Sequence, residues 1–413
     1  DQRADTLATM PRVMRDIAGQ GIRFTNAFTA TAICAPSRAS IFSGLPVHAH
    51  GVLENGSAAP KFDPTTSFVP ALSAAGYRTG LIGIYLAGNQ NLGTTIPPGW
   101  SDWMTFYSAD GSSDDAFPAM RFNHNGRLID FPSAPFDTIT DRLGAEAIRF
   151  IRHNADSPFF LQLAPFVPHA PSIPTERYSG SFAGLEPHRP PNFHDANTSL
   201  KPTWVRFMQT VDPRAEPTDQ LRINQHEALL GLDDVIGEIL DTVDALGLTN
   251  DTIVVFASDH GQHWGEHWWS SKMTGYEESI RIPLVLRYPR QYPLGRVNNS
   301  LVSTLDLSAT FADAAGAEFL TGRGMSILAE LEGRIAQREE IFVENTTNFI
   351  VAPSNAVRTK NWKYIATPQN STIFEELYDI ENDPFELQNL ALEPAYALRI
   401  ADLAARLQAS LDE

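Results

Sequence analysis

The chain has 413 residues, 43% of them hydrophobic, and a formal net charge of −18. That length allows one large domain with a smaller one, and the composition is that of an ordinary soluble core. The acid excess argues against nucleic acid as a partner and against a basic membrane-binding face, and no run is long and apolar enough to span a bilayer.

Taken in order, the chain opens on Asp1-Gln2-Arg3 with no signal-like stretch. Residues 7–18 read as a helix and Ile22-Arg23-Phe24 as a strand. The next stretch, Thr31 to Gly44, holds the only cysteine, Cys34, so an intramolecular disulfide and a cysteine-built zinc cluster are excluded. Pro36 sits where a first helical turn accepts proline. Cys34 and Arg38 are four apart and share a helix face. A small nucleophile at a helix N-terminus beside a guanidinium is a place to hold an anion. Alone, however, a solitary cysteine is more simply a small buried hydrophobe.

Residues 68–75 read as a helix stopped by Gly76, and 78–85 as a buried strand. Residues 88–137 are rich in turn formers and read as loops with short strands. An amphipathic helix is expected over 137–153 and a strand over 158–164, ending in the proline-rich run around His169. Residues 171–218 read as one long loop, of the kind that is usually functional. Leu229, Leu232, Ile236, Ile239 and Val243 step by three and four, so 221–246 reads as the strongest helix. Thr252 to Ala257 reads as a fully buried strand running into Ser258-Asp259-His260-Gly261. A further strand is expected at 282–287 and a helix at 304–315. Antiparallel strands are expected at 340–344, 357–365 and 377–380, with a closing helix over 391–411. The change of character places a boundary at 325/326. Six Asn-x-Ser/Thr sequons, at Asn55, Asn197, Asn250, Asn298, Asn345 and Asn370, are compatible with a secretory route.

Ser258 to Gly261 lies at the carboxyl end of a strand, where open α/β sheets place ligands, and Asp259 suits a hard cation. Lys272 and His169 read, in isolation, as a surface lysine and a loop histidine. His48 and His50 read as structural or rim residues, and His263 and His267 as packing against Trp264. His188 and His194 belong to no evident motif.

Together these stretches resemble the formylglycine-dependent sulfatases. Cys34-Ala35-Pro36-Ser37-Arg38 resembles their Cys-x-Pro-Ser-Arg signature. Thr252 to His267 resembles their strand with Ser-Asp-His/Asn-Gly and Gly-Glu/Asp-His. Lys272 with Tyr276-Glu277-Glu278-Ser279, Pro168-His169-Ala170-Pro171, and the strands around Trp362 and Tyr378 follow in family style. The resemblance implies an α/β alkaline-phosphatase-like fold with a large mixed, mostly parallel sheet flanked by helices. A smaller C-terminal antiparallel sheet plus helix would follow from residue 326. It implies oxidation of Cys34 to formylglycine by a formylglycine-generating enzyme. It also implies a divalent cation, Ca2+ first and Mg2+ second, held by Asp1, Cys34, Asp259 and His260. Arg38 would fix the nucleophile loop, while Lys272 and His169 would bind sulfate and assist the leaving group. The implied substrate is a sulfate ester, with a lean toward sulfated glucosamine. The implied location is secreted, periplasmic or lysosome-like.

Two departures stand out. The family begins with a buried strand ending in paired aspartates, whereas here Asp1 is the single residue of that pair and the strand is missing. Ile84 and Ala87 stand in the Gly83-Ile84-Tyr85-Leu86-Ala87 element where the family has a lysine and an Asn or His; Lys61 is the one cation considered as a substitute. The alternatives are a phosphonate or phosphodiester hydrolase of the same family and an inactive glycan-binding relative.

Overall fold

The computed structural model describes residues 1–107, 119–132, 139–211, 216–292, 295–346, 350–369 and 371–413. The first expected helix breaks in two. Pro11 has no N–H to continue the first turn, so a 3-10 turn over Ala4–Thr9 gives way to a wider-wound helix over Val13–Ala18. Its free amide ends are met from elsewhere: Arg12 N and Val13 N donate to the Asp233 carboxylate at 2.7 and 2.8 Å.

Among the described residues, nine strands build the larger part. One sheet runs β7-β8-β1-β9, with β1 at Ile22–Phe28, β7 at Val254–Ala257, β8 at Leu284–Arg287 and β9 at Arg296–Ser303. The second runs β5-β4-β3-β2-β6. Its strands are β2 (Arg78–Gly83), β3 (Asp102–Phe106), β4 (Ala119–His124), β5 (Arg127–Pro132) and β6 (Phe159–Ala164). The sheets are mixed. β2 is parallel to both β3 and β6, and β1 is parallel to β9, while β8 runs against both of its neighbours. The main flanking helices are α1 (Cys34–Ser43), α2 (Phe68–Ala74), α3 (Ile139–His153), α4 (Thr203–Val211), α5 (Glu216–Ala245) and α6 (Asp306–Ala315).

A smaller antiparallel sheet follows: β10 (Glu340–Asn345), β11 (Ser354–Thr359), β12 (Trp362–Gln369) and β13 (Thr372–Asp379). The last helix, α7 (Ala397–Asp412), lays Leu403 and Leu407 on Val357, Tyr364 and Leu377 of that sheet. The fold is thus the expected α/β arrangement with a C-terminal antiparallel sheet and helix, but where one large, mostly parallel sheet was expected the described residues form two mixed sheets.

Several expectations change in detail. The loop expected over 171–218 contains α4, because Trp204, Val205 and Met208 bury one face after Pro202. β9 has no apolar alternation in Asn298, Asn299 and Ser300, so periodicity hides it. The strand read over 357–365 is two strands turning at Lys360-Asn361.

The largest departure is at β7, expected to be fully buried. Every residue of Val254–Ala257 is only half-buried, as is most of β6. β6 and β7 are the end strands of their sheets, and both line one cavity of about 660 Å3. Leu232, Ile236 and Val243 of α5 wall one face, and Leu72, Leu307 and Phe311 wall another. Residues from both ends of the strands line it, from Ser157 and Asp251 to Asp1, Cys34 and Asp259.

Candidate active site

The α1 helix begins at Cys34 and ends at Gly44, whose left-handed φ of 66° allows its N–H to reach the Ser40 carbonyl. Its first turn is held against the β7 exit. Ser37 Oγ donates to the Asp259 carbonyl at 2.6 Å, and Arg38 Nε donates to Asp259 Oδ2 at 3.1 Å. Arg38 Nη1 also donates to the Ile84 carbonyl at 2.9 Å. The loop after Asp259 is held by Gly261, where a Cβ would meet the Glu278 carbonyl at 2.1 Å.

Five of the expected residues converge. Lys272 Nζ lies 3.2 Å from Cys34 Sγ and 2.6 Å from Asp1 Oδ1. His260 Nε2 lies 3.4 Å from the same sulfur and 3.1 Å from Asp1 Oδ1. His169 Nε2 stands 3.5 Å from Asp1 Oδ2. Burial pushes the Cys34 thiol up, but Lys272, His260 and a hydrogen bond from His169 more than offset it and hold the thiol well below its ordinary range.

The donor set fits a divalent cation. His260 Nδ1 donates to the Gly261 carbonyl at 2.9 Å, so in the neutral ring Nε2 carries the lone pair. Burial, the foremost cause, lowers the His260 pKa and favours that neutral ring. The lone pair faces the Asp1 carboxylate and the Cys34 sulfur, and these three donor atoms lie within 4.8 Å of one another. Asp259 Oδ1 adds a second carboxylate oxygen 3.7 Å from His260 Nε2. The sulfur stands where the oxygens of a hydrated formylglycine would stand in the oxidised protein, which would make the set richer in hard donors.

Ile84 and Ala87 line the cavity beside Cys34 and Arg38. Lys61 does not replace the cation that Ile84 lacks: its ammonium pairs with Glu54 at 2.8 Å on the surface. Four other histidines are tied into the scaffold. His48 pairs with Glu344, His50 bonds Ser40, His263 bonds Thr274, and His267 stacks on Tyr276 at 3.9 Å.

Two asparagines read as sequons turn out to brace the site. Asn55 Oδ1 accepts from Ala35 N and Asn345 Oδ1 from Ala32 N, both at 2.9 Å, so the segment around Cys34 is pinned from both sides. Asn345 is only 3% exposed, which is no position for a glycan. The one local signal was the sequon itself, and it pointed to a different role. Asn370 lies outside the described residues.

Comparison with known proteins identifies the family. The Sulfatase family profile matches residues 2–317, and that of the N-sulphoglucosamine sulphohydrolase C-terminal region matches residues 265–413. An extracellular sulfatase SULF-1 homolog of Drosophila melanogaster is 30% identical over 329 residues, covering 76% of this chain and 29% of its own length. An N-acetylglucosamine-6-O-sulfatase of Bacteroides thetaiotaomicron is 25% identical over 464 residues, covering 96% of this chain and 80% of its own. The human N-acetylglucosamine-6-sulfatase is 29% identical over 350 residues, covering 79% of this chain and 62% of its own. The chain thus spans under a third of the fly relative. Among solved structures, one described as a complex with its substrate D-glucosamine-2-N,6-O-disulfate superposes with a TM-score of 0.82 at 23% identity, over 100% of this chain and 96% of that one. The phosphonate monoester hydrolase of Agrobacterium radiobacter superposes at 0.77 with 22% identity, over 100% and 94%. By the profile that matches residues 2–317, the chain belongs to the sulfatase family.

Proposed function

We propose that the chain hydrolyses a sulfate ester carried on a sugar, after Cys34 has been converted to formylglycine by a formylglycine-generating enzyme. The observation that carries this reading is the convergence of Cys34, Asp1, His260, His169 and Lys272 on one point. When present, formylglycine supplies a geminal diol as nucleophile, and a bound Ca2+ (or Mg2+) polarises the sulfate oxygens. Asp1, Asp259, His260 and residue 34 would hold the cation. Arg38 fixes the helix that carries the nucleophile by clamping Asp259 and the Ile84 carbonyl. The Lys272 ammonium sits at the sulfur and is placed to bind the anionic ester and to stabilise charge as it develops. His169 donates through Nδ1 to the Ala170 carbonyl at 2.7 Å, which orients Nε2 toward the site. From there it can exchange a proton with the leaving oxygen.

The sugar as substrate is supported by the glucosamine-sulfate relatives. The division at 325/326 is part of the same reading. A secretory route is supported by the extracellular relative. Among the described residues, no helix is long and apolar enough to cross a membrane. The second reading, a relative that binds sulfated glycans without turnover, is favoured by Ile84 and Ala87 at the cavity wall.

The test is a comparison of rates on glucosamine 6-sulfate, an aryl sulfate and the matched aryl phosphonate, with protein made alongside a formylglycine-generating enzyme. Turnover of the sulfate esters supports the first reading. Faster phosphonate turnover replaces it with phosphonate hydrolysis. Binding of a sulfated glycan without turnover selects the second reading.

A further inference from the structure

Glu266 lies on the loop between His260 and Lys272, with no exposed surface. Its carboxylate gathers three donors from three parts of the chain. Oε1 accepts from Arg3 Nη1 and from His188 Nε2, the latter at 2.7 Å. Oε2 accepts from the Trp264 amide at 2.6 Å. Burial opposes its ionisation, but Arg3 foremost, with a hydrogen bond from His188, holds it below the usual carboxylate range.

Each donor leads to a site residue. Arg3 is two residues from Asp1, and its guanidinium lies 4.4 Å over the Trp264 ring. The Trp264 indole N–H donates to Gln225 Oε1 at 2.6 Å, and Gln225 Nε2 donates to the Pro168 carbonyl at 3.3 Å, next to His169. His188 ties in the long loop that follows His169. One buried carboxylate therefore connects the segment bearing Asp1, the loop bearing His260 and Lys272, and the turn bearing His169.

We propose that Glu266 is the positioning residue of the site: it sets Asp1 against His260 through Arg3, and sets His169 through Trp264 and Gln225. This rests on the sulfatase reading for its catalytic arm only. Glu266 touches neither substrate nor cation and acts through the groups that do. Partners at this remove typically cost about 10–100-fold in metal affinity or activity when lost. The two arms are separable, because Gln225 serves only the path to His169.

The experiment uses the full chain and three variants, Glu266→Gln, Gln225→Leu and His188→Asn. Ca2+ and Mg2+ affinity is read by calorimetry, and kcat and KM are read on a sulfate ester. Glu266→Gln is expected to weaken cation binding and lower kcat by about tenfold or more each, with KM changed less than about threefold. Gln225→Leu is expected to lower kcat while leaving cation affinity intact. A variant with purely structural damage would lower the melting temperature and leave both per-molecule values unchanged. That result for folded Glu266→Gln overturns the proposal. If Glu266→Gln does not fold, Gln225→Leu and His188→Asn decide: unchanged kcat and unchanged cation affinity in both overturn it. A parent chain that binds neither cation also overturns it. A parent that binds cation but turns over no sulfate ester refutes the sulfatase reading and leaves the cation arm to decide the positioning role.

Discussion

Lys272 holds its ammonium 3.2 Å from the sulfur of Cys34, a residue 238 positions away in the chain. The pair joins the β7 exit loop to the start of α1, and the lysine is one of the groups that lower the Cys34 thiol pKa. Lys272→Ala removes a cation from a mostly buried site. The expected loss in kcat/KM is about 10²–10³, the usual effect of losing one such electrostatic contact. In unconverted protein the same change raises the Cys34 pKa, so the pH profile of thiol alkylation moves upward. An unmoved profile would place the ammonium elsewhere in solution.

Ile84 tests whether the site lacks a charge. Its carbonyl is held by Arg38, and its side chain lines the cavity beside Cys34. Ile84→Lys puts an aliphatic stem along the same wall and brings an ammonium toward the ester. The expected result is a rise in kcat/KM of about tenfold or more, measured on the same sulfate ester. Equal rates for parent and variant would remove Ile84 as the defect.

These two positions also show what could be read in advance. Cys34, Asp259, His260, Lys272 and His169 were singled out because their motifs resemble those of the sulfatases, and the fold brings them near one another. Ile84 was legible as a departure from such a motif. The bracing residues were not. Asn345 reaches Ala32 across 313 residues, and no local pattern encodes such a contact. Glu266 was visible within its motif, but its partners Arg3 and His188 meet it only in the fold. β9 was missed because its polar residues carry no period, and α4 because its apolar turn is short. The half-buried state of β7 depends on what stands beside it, which the composition of Val254–Ala257 cannot express.

Asn345 gives a test of the brace. Asn345→Ala leaves the Ala32 amide without its acceptor in a buried loop. Such a loss costs about 1–3 kcal/mol. Asn345→Asp keeps an oxygen at the same place and is expected to recover most of it. Urea denaturation of the three proteins checks this. Equal midpoints for alanine and asparagine would show that the Ala32 amide finds another partner.

Glu278 predicts how stability responds to pH. Its carboxyl is pushed up to about 8, foremost by burial and then by the nearby charges of Glu266 and Glu386, against the pull of Arg3. The Asn192 amide donates to Oε1 at 2.8 Å, while Oε2 has no hydrogen-bond partner and faces His267 Nε2 at 3.8 Å. In the unfolded chain the group titrates near its ordinary value of 4.5. Between these two values the folded state keeps a proton that the unfolded state has released. Stability from this group is therefore fully present below the unfolded value and is lost as pH rises through about 8. Glu278→Gln keeps the oxygen that Asn192 needs and removes the titration. Urea midpoints at acidic, neutral and mildly alkaline pH are expected to fall for the parent and to flatten for the variant. At the alkaline end the variant is expected to be more stable by on the order of 1–2 kcal/mol. Parallel curves for the two proteins would mean that Glu278 is already ionised in the folded state, with a cation supplied by neighbours such as Arg3.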